Sequence, residues 1–169
     1  MLDERLTAVA AGVAAALVER GETVAVAEGS CGGLVSASLL SVPGASAYYV
    51  GGAVIYTPRA TRAFVAGAIE TPEGMRGATE VFARYLARSV AAKTGASWGI
   101  GEGGAAGPSG NPYGDPAGHA WAAVAGPDGT EAARHVLTGR SERLDNMVTF
   151  AVAALELLLE QLRVSAREG

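Results

Sequence analysis

The stretch AVAEGSCGG, residues 25–33, places a carboxylate, a hydroxyl and the only thiol of the chain directly before two glycines. Ser30 and Cys31 are candidate catalytic residues, because backbone N–H groups and the helix dipole stabilise an anion or a thiolate at a helix start. Gly32 and Gly33 would let a ligand approach the backbone closely. The alternative is structural, with Ser30 capping the helix and Cys31 as a small buried side chain.

Glu28 stands at the end of the apolar run that precedes these residues. A carboxylate at the end of a buried strand must be solvated or paired, which leaves a ligand-facing role and a structural hydrogen bond both open. Glu28 also excludes a nucleophile elbow, since that motif needs a glycine two residues before Ser30.

A second glycine-rich segment, GEGGAAGPSG, covers residues 101–110. Such a loop can align N–H groups into a nest for phosphate. It lacks the Lys-Ser/Thr ending of a P-loop, so nucleoside triphosphate hydrolysis is not expected. His119 and His135 have no spacing typical of a Ser-His-Asp arrangement, and we interpret both as structural.

Composition excludes several function classes. The net charge of -4 over 169 residues disfavours broad contact with nucleic acid or anionic lipid, although it permits a small anion site. One cysteine and two histidines exclude an internal disulfide and a Cys-cluster zinc site, and they make a His-rich metal site improbable. No apolar run reaches about 20 residues, and the acidic N-terminus lacks the features of a secretory signal, so a cytoplasmic protein is expected.

Helical and strand patterns alternate along the chain before a late hairpin. The predicted helices are 4–20, 34–40, 58–65, 73–93 and 141–162, and the predicted strands are 23–27, 48–56, 97–101, 119–125 and 131–138. Residues 101–118 are too rich in Gly and Pro to predict regular structure. This order predicts one α/β domain over residues 1–169, a three-layer α/β/α sandwich with a mostly parallel, mixed sheet.

Three ordered blocks resemble the C-terminal domain of the CinA (competence/damage-inducible) family, which also occurs alone as nicotinamide-nucleotide amidase. AVAEGSCGG looks like the family's Ala-Glu-Ser-Cys-Thr-Gly-Gly loop. Residues 42–67 look like its Val-Pro-Gly-Ser-Ser segment, Gly-Gly strand and Tyr-Ser-Asn-Glu-Ala-Lys turn. Residues 101–110 look like its Gly-Ile-Ala-Gly-Pro loop.

The resemblance implies an amidohydrolase that converts nicotinamide mononucleotide to nicotinic acid mononucleotide and ammonia, without metal or other cofactor. A serine from the first loop attacks and a lysine after the second strand is the base. The resemblance also implies a homo-oligomer, for which the last helix or the strand at Tyr48 and Tyr49 would supply a surface. It places ligand-binding positions at Glu28, Gly29, Ser30, Cys31, Gly32, Gly33, Tyr56, Gly104, Ala105, Ala106 and Gly107.

Both members of that dyad are missing here. Aligned on the glycine pair, the serine position is Gly29, and counting from Tyr56 the lysine position is Thr61. Arg62 cannot replace the lysine, because a guanidinium does not lose its proton at neutral pH. The only lysine, Lys93, falls at the end of a predicted helix, where it complements the helix dipole.

The entry to the last helix also departs from the family pattern. The family's Gly-Asp-Arg is Gly139, Arg140 and Ser141 here, and an arginine often found further on is Asp145. We therefore predict a relative that binds a pyridine mononucleotide or another small phosphorylated ligand without the Ser/Lys chemistry. The alternative is an active nicotinamide-nucleotide amidase that uses Ser30 or Cys31 as its nucleophile. A purely structural or partner-binding module is the third possibility.

Overall fold

The computed structural model describes residues 1–165 of the chain, which form five helices and five strands beside two short 3-10 turns. The helices are α1 (Glu4–Arg20), α2 (Leu34–Leu40), α3 (Pro58–Phe64), α4 (Glu80–Thr94) and α5 (Arg143–Ser165). The strands are β1 (Val24–Glu28), β2 (Tyr49–Val54), β3 (Trp98–Ala105), β4 (His119–Ala125) and β5 (Glu131–Leu137).

The strands form one sheet in the order β2-β1-β3-β4-β5. Strand β1 pairs in parallel with β2 and β3, whereas β4 is antiparallel to both β3 and β5. Four strands thus share one direction and only β4 opposes them. The predicted mostly parallel, mixed sheet in a single α/β domain is confirmed.

Alternate residues of β1 supply the cores on the two faces of the sheet. Val24 and Val26 pack into the core formed with α1, α2 and α5, while Ala25 and Ala27 pack against α4. Every residue of β1 is buried, as expected for a parallel strand covered on both faces. The sheet and the helices on its two faces are the three layers of the sandwich.

Helix α4 begins later than the predicted residue 73. Thr79 is its N-cap, and the Thr79 hydroxyl accepts a hydrogen bond from the Phe82 N–H at 3.2 Å. The preceding segment contains Pro72 and two glycines, which favour turns over helix. Residues 73–79 are therefore available to form part of the wall of a cavity.

Strand β3 is longer than predicted, because residues 101–105 continue it instead of starting a loop. The register with β4 runs from Gly99 opposite Ala125 to Ala105 opposite His119. A Cβ at Gly101 would collide with the Ala83 carbonyl oxygen of α4. Glycine here permits close helix–sheet packing, so its presence did not signal irregular structure.

The hairpin at residues 126–129 is confirmed, since β4 and β5 flank it. Tyr48 is 1 % exposed and its hydroxyl donates to the Leu39 carbonyl at 2.6 Å, so this residue is part of the core and cannot supply an interaction surface. Among residues 1–165 no helix is long and apolar enough to cross a membrane.

Candidate ligand-binding cavity

A cavity of about 660 Å³ opens beside the carboxyl ends of β1, β2 and β3. The loop after β1, the segment from residue 55 into α3, the approach to α4 and the end of β3 all contribute to its wall. The carboxyl edge of parallel strands is the usual place for a ligand in an α/β sheet. This cavity is our candidate functional site.

Five of the predicted site residues line this cavity. Gly29 and Ser30 come from the loop after β1, Tyr56 and Thr61 from the segment after β2, and Gly104 from β3. Gly29 and Thr61, the two positions that the resemblance predicts for the serine and the lysine, therefore line one cavity. The sequence reasoning identified these two positions, and the tertiary structure brings them together.

The other predicted ligand-binding residues lie outside the cavity lining. They are Glu28, Cys31, Gly32, Gly33, Ala105, Ala106 and Gly107. Residues 106 and 107 are instead tied to α5: Asn146 Nδ2 donates to the Ala106 carbonyl at 2.8 Å, and Arg143 Nη1 donates to the Gly107 carbonyl at 2.7 Å. These two residues are thus bound to α5 and do not line the cavity.

Glu28 makes structural hydrogen bonds. Its carboxylate accepts from the N–H groups of Gly33 and Val35 at 3.0 Å and from Ser36 N–H at 2.9 Å, and it also accepts from the Ser36 hydroxyl at 2.7 Å. A carboxylate on these orphan donors caps α2 and complements its dipole. The sequence left a ligand-facing role and a structural hydrogen bond open for Glu28, and the structure shows the structural hydrogen bonds.

Ser30 does not cap α2, contrary to the structural alternative stated above. Gly33 occupies the position before the helix, where it makes no side-chain cap, and Glu28 binds the free N–H groups. The Ser30 hydroxyl instead donates to the Glu102 carboxylate. Ser30 is 6 % exposed and lines the cavity.

Cys31 is fully buried within the core shared by α1, α2 and α5. Burial, and then the nearby carboxyl groups of Glu102 and Glu28, raise the pKa of the thiol well above its ordinary value. The thiolate that a nucleophile requires is therefore disfavoured. The structure places Cys31 as a small buried side chain and not as a reactive group on the cavity.

Glu102 is the site residue that the sequence reasoning missed. It is fully buried on β3, and its Oε2 accepts hydrogen bonds from the N–H groups of Gly29 and Cys31, each at 3.0 Å. Its Oε1 accepts the hydroxyl of Ser30. Desolvation by burial is the largest influence and raises the pKa of Glu102. The sequence signal that would have identified Glu102 is its position as a lone acid within an apolar, glycine-rich strand.

Two arginines, Arg62 and Arg76, contribute positive charge to the wall. Arg76 Nη1 donates to Asp115 Oδ2 at 2.8 Å, and Arg76 Cζ lies 5.1 Å from the centroid of the Tyr113 ring. The hydrogen bond from Arg76, followed by one from Asn111, lowers the pKa of Asp115 to about 2. The outer wall thus has a fixed arginine beside aromatic and amide groups.

Lys93 is at the last turn of α4, as predicted, and its ammonium donates to the Ala66 carbonyl at 3.0 Å. Lys93 is not among the residues that line the cavity. The His119 ring contacts the Ala78 carbonyl at 2.8 Å and the His135 ring at 2.9 Å. Within residues 1–165 no three His, Cys, Asp or Glu side chains are grouped to hold a metal ion.

Solved structures share this fold. Competence damage-inducible protein A (ComA) from Klebsiella pneumoniae subsp. pneumoniae MGH 78578 superposes with a TM-score of 0.85 at 27 % identity, covering 94 % of this chain and 97 % of that one. Competence/damage inducible protein CihA from Agrobacterium tumefaciens gives a TM-score of 0.87 at 24 % identity over 96 % of this chain and 98 % of its own, a likeness of fold alone.

Curated relatives cover most of this chain. A CinA-like protein of Anaeromyxobacter sp. (strain K) is 39 % identical over 151 residues, which are 89 % of this chain and 36 % of that protein. A CinA-like protein of Chlorobaculum tepidum is 36 % identical over 152 residues, 87 % of this chain and 36 % of that protein. The chain thus spans little more than a third of the length of these relatives. The model of the CinA C-terminal domain matches residues 6–162, so the chain belongs to the family of the CinA C-terminal domain.

Proposed function

We propose that this protein binds a small phosphorylated ligand of the pyridine mononucleotide class in the cavity and does not hydrolyse it by the family's Ser/Lys route. One observation carries the proposal. Gly29 and Thr61, the positions of the resembling dyad, both line the cavity, and neither side chain supplies the required nucleophile or base. The cavity is present, and the side chains at these two positions do not support the Ser/Lys route.

The cavity wall suits such a ligand in size and chemistry. About 660 Å³ falls within the range of small-molecule sites. Tyr56 and Phe82 offer aromatic surface for a planar ring. Arg62 and Arg76 offer guanidinium groups, which pair well with phosphate.

No neighbouring cationic residue replaces the missing lysine. Arg62 lines the cavity beside Thr61, but a guanidinium stays protonated. Lys93 donates to a backbone carbonyl from outside the lining. The amidase reaction would then need a nucleophile and a base other than those at positions 29 and 61.

Calorimetric titration with nicotinamide mononucleotide, paired with an ammonia assay, tests this function. We expect saturable binding and no sustained ammonia release. Arg62→Ala should weaken binding about tenfold, which is about 1.4 kcal/mol, because it removes a cation from the wall. Arg59→Ala is the matched control, since Arg59 lies exposed on the same helix and outside the lining.

Two results would overturn the proposal. If neither nicotinamide mononucleotide nor nicotinic acid mononucleotide binds, the cavity serves another ligand. Sustained ammonia release that is lost in Ser30→Ala or Cys31→Ala would establish the alternative, an active amidase with one of these residues as nucleophile. Between the two, the geometry favours Ser30, because Cys31 is buried in the core.

The homo-oligomer remains a proposal as well. With Tyr48 buried, the apolar side chains that edge strand β2 presents are Val50 and Val54, which are 48 % and 43 % exposed. Light scattering on a sizing column would give the mass in solution. A monomeric mass across the micromolar range would refute self-association.

A further inference from the structure

The contact between Ser30 and Glu102 joins the hydroxyl of a cavity-lining residue to a buried carboxylate. Ser30 lines the cavity and donates its hydroxyl proton to Oε1 of Glu102. Neither residue occupies a position of the Ser/Lys dyad that the family resemblance implies. The pair therefore has no role in that mechanism.

We propose that Ser30 is a nucleophile with Glu102 as its general base, and that the pair gives the cavity a covalent acyl-transfer activity toward activated esters. The inference rests on the proposed function only in using the same cavity. It needs neither a pyridine nucleotide nor a lysine.

Glu102 is held in place for this task. Its Oε2 accepts N–H groups from Gly29 and Cys31, both at 3.0 Å, on either side of Ser30 in sequence. These two bonds fix the carboxylate and leave Oε1 directed at the Ser30 hydroxyl. Because the base and the loop that carries the nucleophile are bound to each other, their relative position is preorganised.

The environment also suits proton transfer. Glu102 is fully buried, and desolvation raises its pKa, which makes the carboxylate a better proton acceptor than an exposed one. Among the described residues, no Lys or Arg makes an ion pair with Glu102. Its negative charge is not neutralised by a salt bridge.

The reaction balances with water as the only co-reactant. Ser30 Oγ bonds to the ester carbonyl carbon while its proton passes to Glu102 Oε1, and the alcohol then leaves with that proton as the C–O bond breaks. Water next attacks the acyl-serine, giving one proton to Glu102. That proton returns to Ser30 Oγ when the acid is released.

The same contacts limit the reaction to reactive substrates. The N–H groups of Gly29 and Cys31 are bound to Glu102 and do not form an oxyanion hole. Without those donors the tetrahedral intermediate loses a large stabilisation. Activated esters have good leaving groups and tolerate this loss, whereas amides do not.

A fluorophosphonate probe tests the nucleophile without a known substrate. Ser30 Oγ would bond to phosphorus, fluoride would leave, and the serine proton would pass through Glu102 to water. Intact-protein mass spectrometry should show one adduct, and peptide mapping should place it on Ser30. Ser30→Ala should abolish it, and Ser109→Ala, which removes an exposed serine outside the cavity lining, should label like the wild type.

Glu102→Gln tests the base, since glutamine keeps the shape of the side chain but cannot take the proton. Labelling should slow by about 100-fold. The wild-type rate should also rise with pH as Glu102 deprotonates, a readout that remains if the glutamine variant fails to fold. A pH-independent rate, or unchanged labelling in a folded Glu102→Gln variant, would exclude Glu102 as the base.

Absence of an adduct, or an adduct on another residue, would overturn the assignment of Ser30. These results are separate from the proposed function. If the Ser30→Ala variant binds nicotinamide mononucleotide and the wild type forms no adduct, the assignment of Ser30 as nucleophile is refuted and the proposed function is not. An adduct on Ser30 in a protein with no affinity for pyridine mononucleotides refutes the proposed function alone.

Discussion

Glu28 and Glu102 are register partners on the adjacent parallel strands β1 and β3, and both are fully buried. Their carboxylates nevertheless bind different parts of the chain. Glu28 holds the first turn of α2, whereas Glu102 holds the turn that contains Ser30. Two buried acids thus fix the two halves of the segment between β1 and α2.

Removing the Glu28 carboxylate should destabilise the fold. Glu28→Ala leaves the N–H groups of Val35 and Ser36 without their acceptor in a buried setting. We expect a loss of about 2–4 kcal/mol in the free energy of unfolding, measured by urea denaturation. Asp3→Ala is the matched control, because Asp3 caps α1 at an exposed end and should cost about 1 kcal/mol. Equal losses in the two variants would contradict a capping role for Glu28 inside the core.

The contribution of Glu102 to stability should depend on pH. Burial raises its folded pKa above the ordinary 4.5, so its stabilising effect is full below pH 4.5 and is lost as the pH rises through the folded value. Glu102→Gln has no such titration. The free energy of unfolding of Glu102→Gln minus that of the wild type should therefore increase with pH above 4.5 and then level off.

Urea denaturation of both proteins at a series of pH values measures this difference. Glu22→Gln serves as a comparison of opposite sign, since hydrogen bonding to Arg20 lowers the pKa of Glu22. A difference for Glu102→Gln that stays constant from pH 4 to 8 would show that the folded pKa of Glu102 is not raised.

Restoring the dyad should restore amide hydrolysis. A Cβ at Gly29 would lie 3.2 Å from the Ile55 carbonyl oxygen and 3.3 Å from that of Glu102, so a serine fits after shifts of a few tenths of an ångström. Thr61 lies on the cavity wall, where a lysine could reach inward. Gly29→Ser with Thr61→Lys should release ammonia from nicotinamide mononucleotide.

Each single variant should stay inactive in the same ammonia assay, because a serine without its base is a weak nucleophile. The Thr61→Lys variant alone also controls for the added positive charge. Ammonia release by the wild type, or by either single variant at the rate of the pair, would mean that the dyad positions have been misassigned.

Gly101 should be intolerant of a side chain. A Cβ there would collide with the Ala83 carbonyl oxygen, so Gly101→Ala must push α4 away from β3. We expect a loss of about 3 kcal/mol by thermal or urea unfolding. Gly51→Ala is the control, since a Cβ at this strand position meets no atom within 4 Å. A fully stable Gly101→Ala variant would disprove the close packing of α4 on β3.

The sequence by itself determined most of the elements, because local signals decide them. Helix α1 begins after Asp3, whose side chain caps it, and ends at Gly21, which adopts a left-handed backbone conformation. Residues 34–40 were predicted and observed as α2. Alternation of helices and strands was sufficient to predict the three-layer α/β fold.

Local signals were ambiguous where glycine serves packing. Residues 101–105 were predicted as part of a loop because of their glycine content, yet they continue β3, where Gly101 packs against Ala83 of α4, 18 residues earlier in the chain. The start of α4 was misplaced for a related reason. The predicted start at residue 73 took no account of Gly74 and Gly77, which favour turns, and the cavity wall that residues 75–78 complete is formed only when distant segments pack.

The sequence also singled out Gly29 and Thr61 as the altered positions, since they align with the motifs of one family. Only the tertiary structure decided what the remaining polar groups do. It directs Glu28 to α2, buries Cys31 in the core and brings Glu102 to Ser30, 72 residues apart in the chain. Such contacts depend on strand order and register, which pair β1 with β3, and a residue's type does not encode its partner across a sheet.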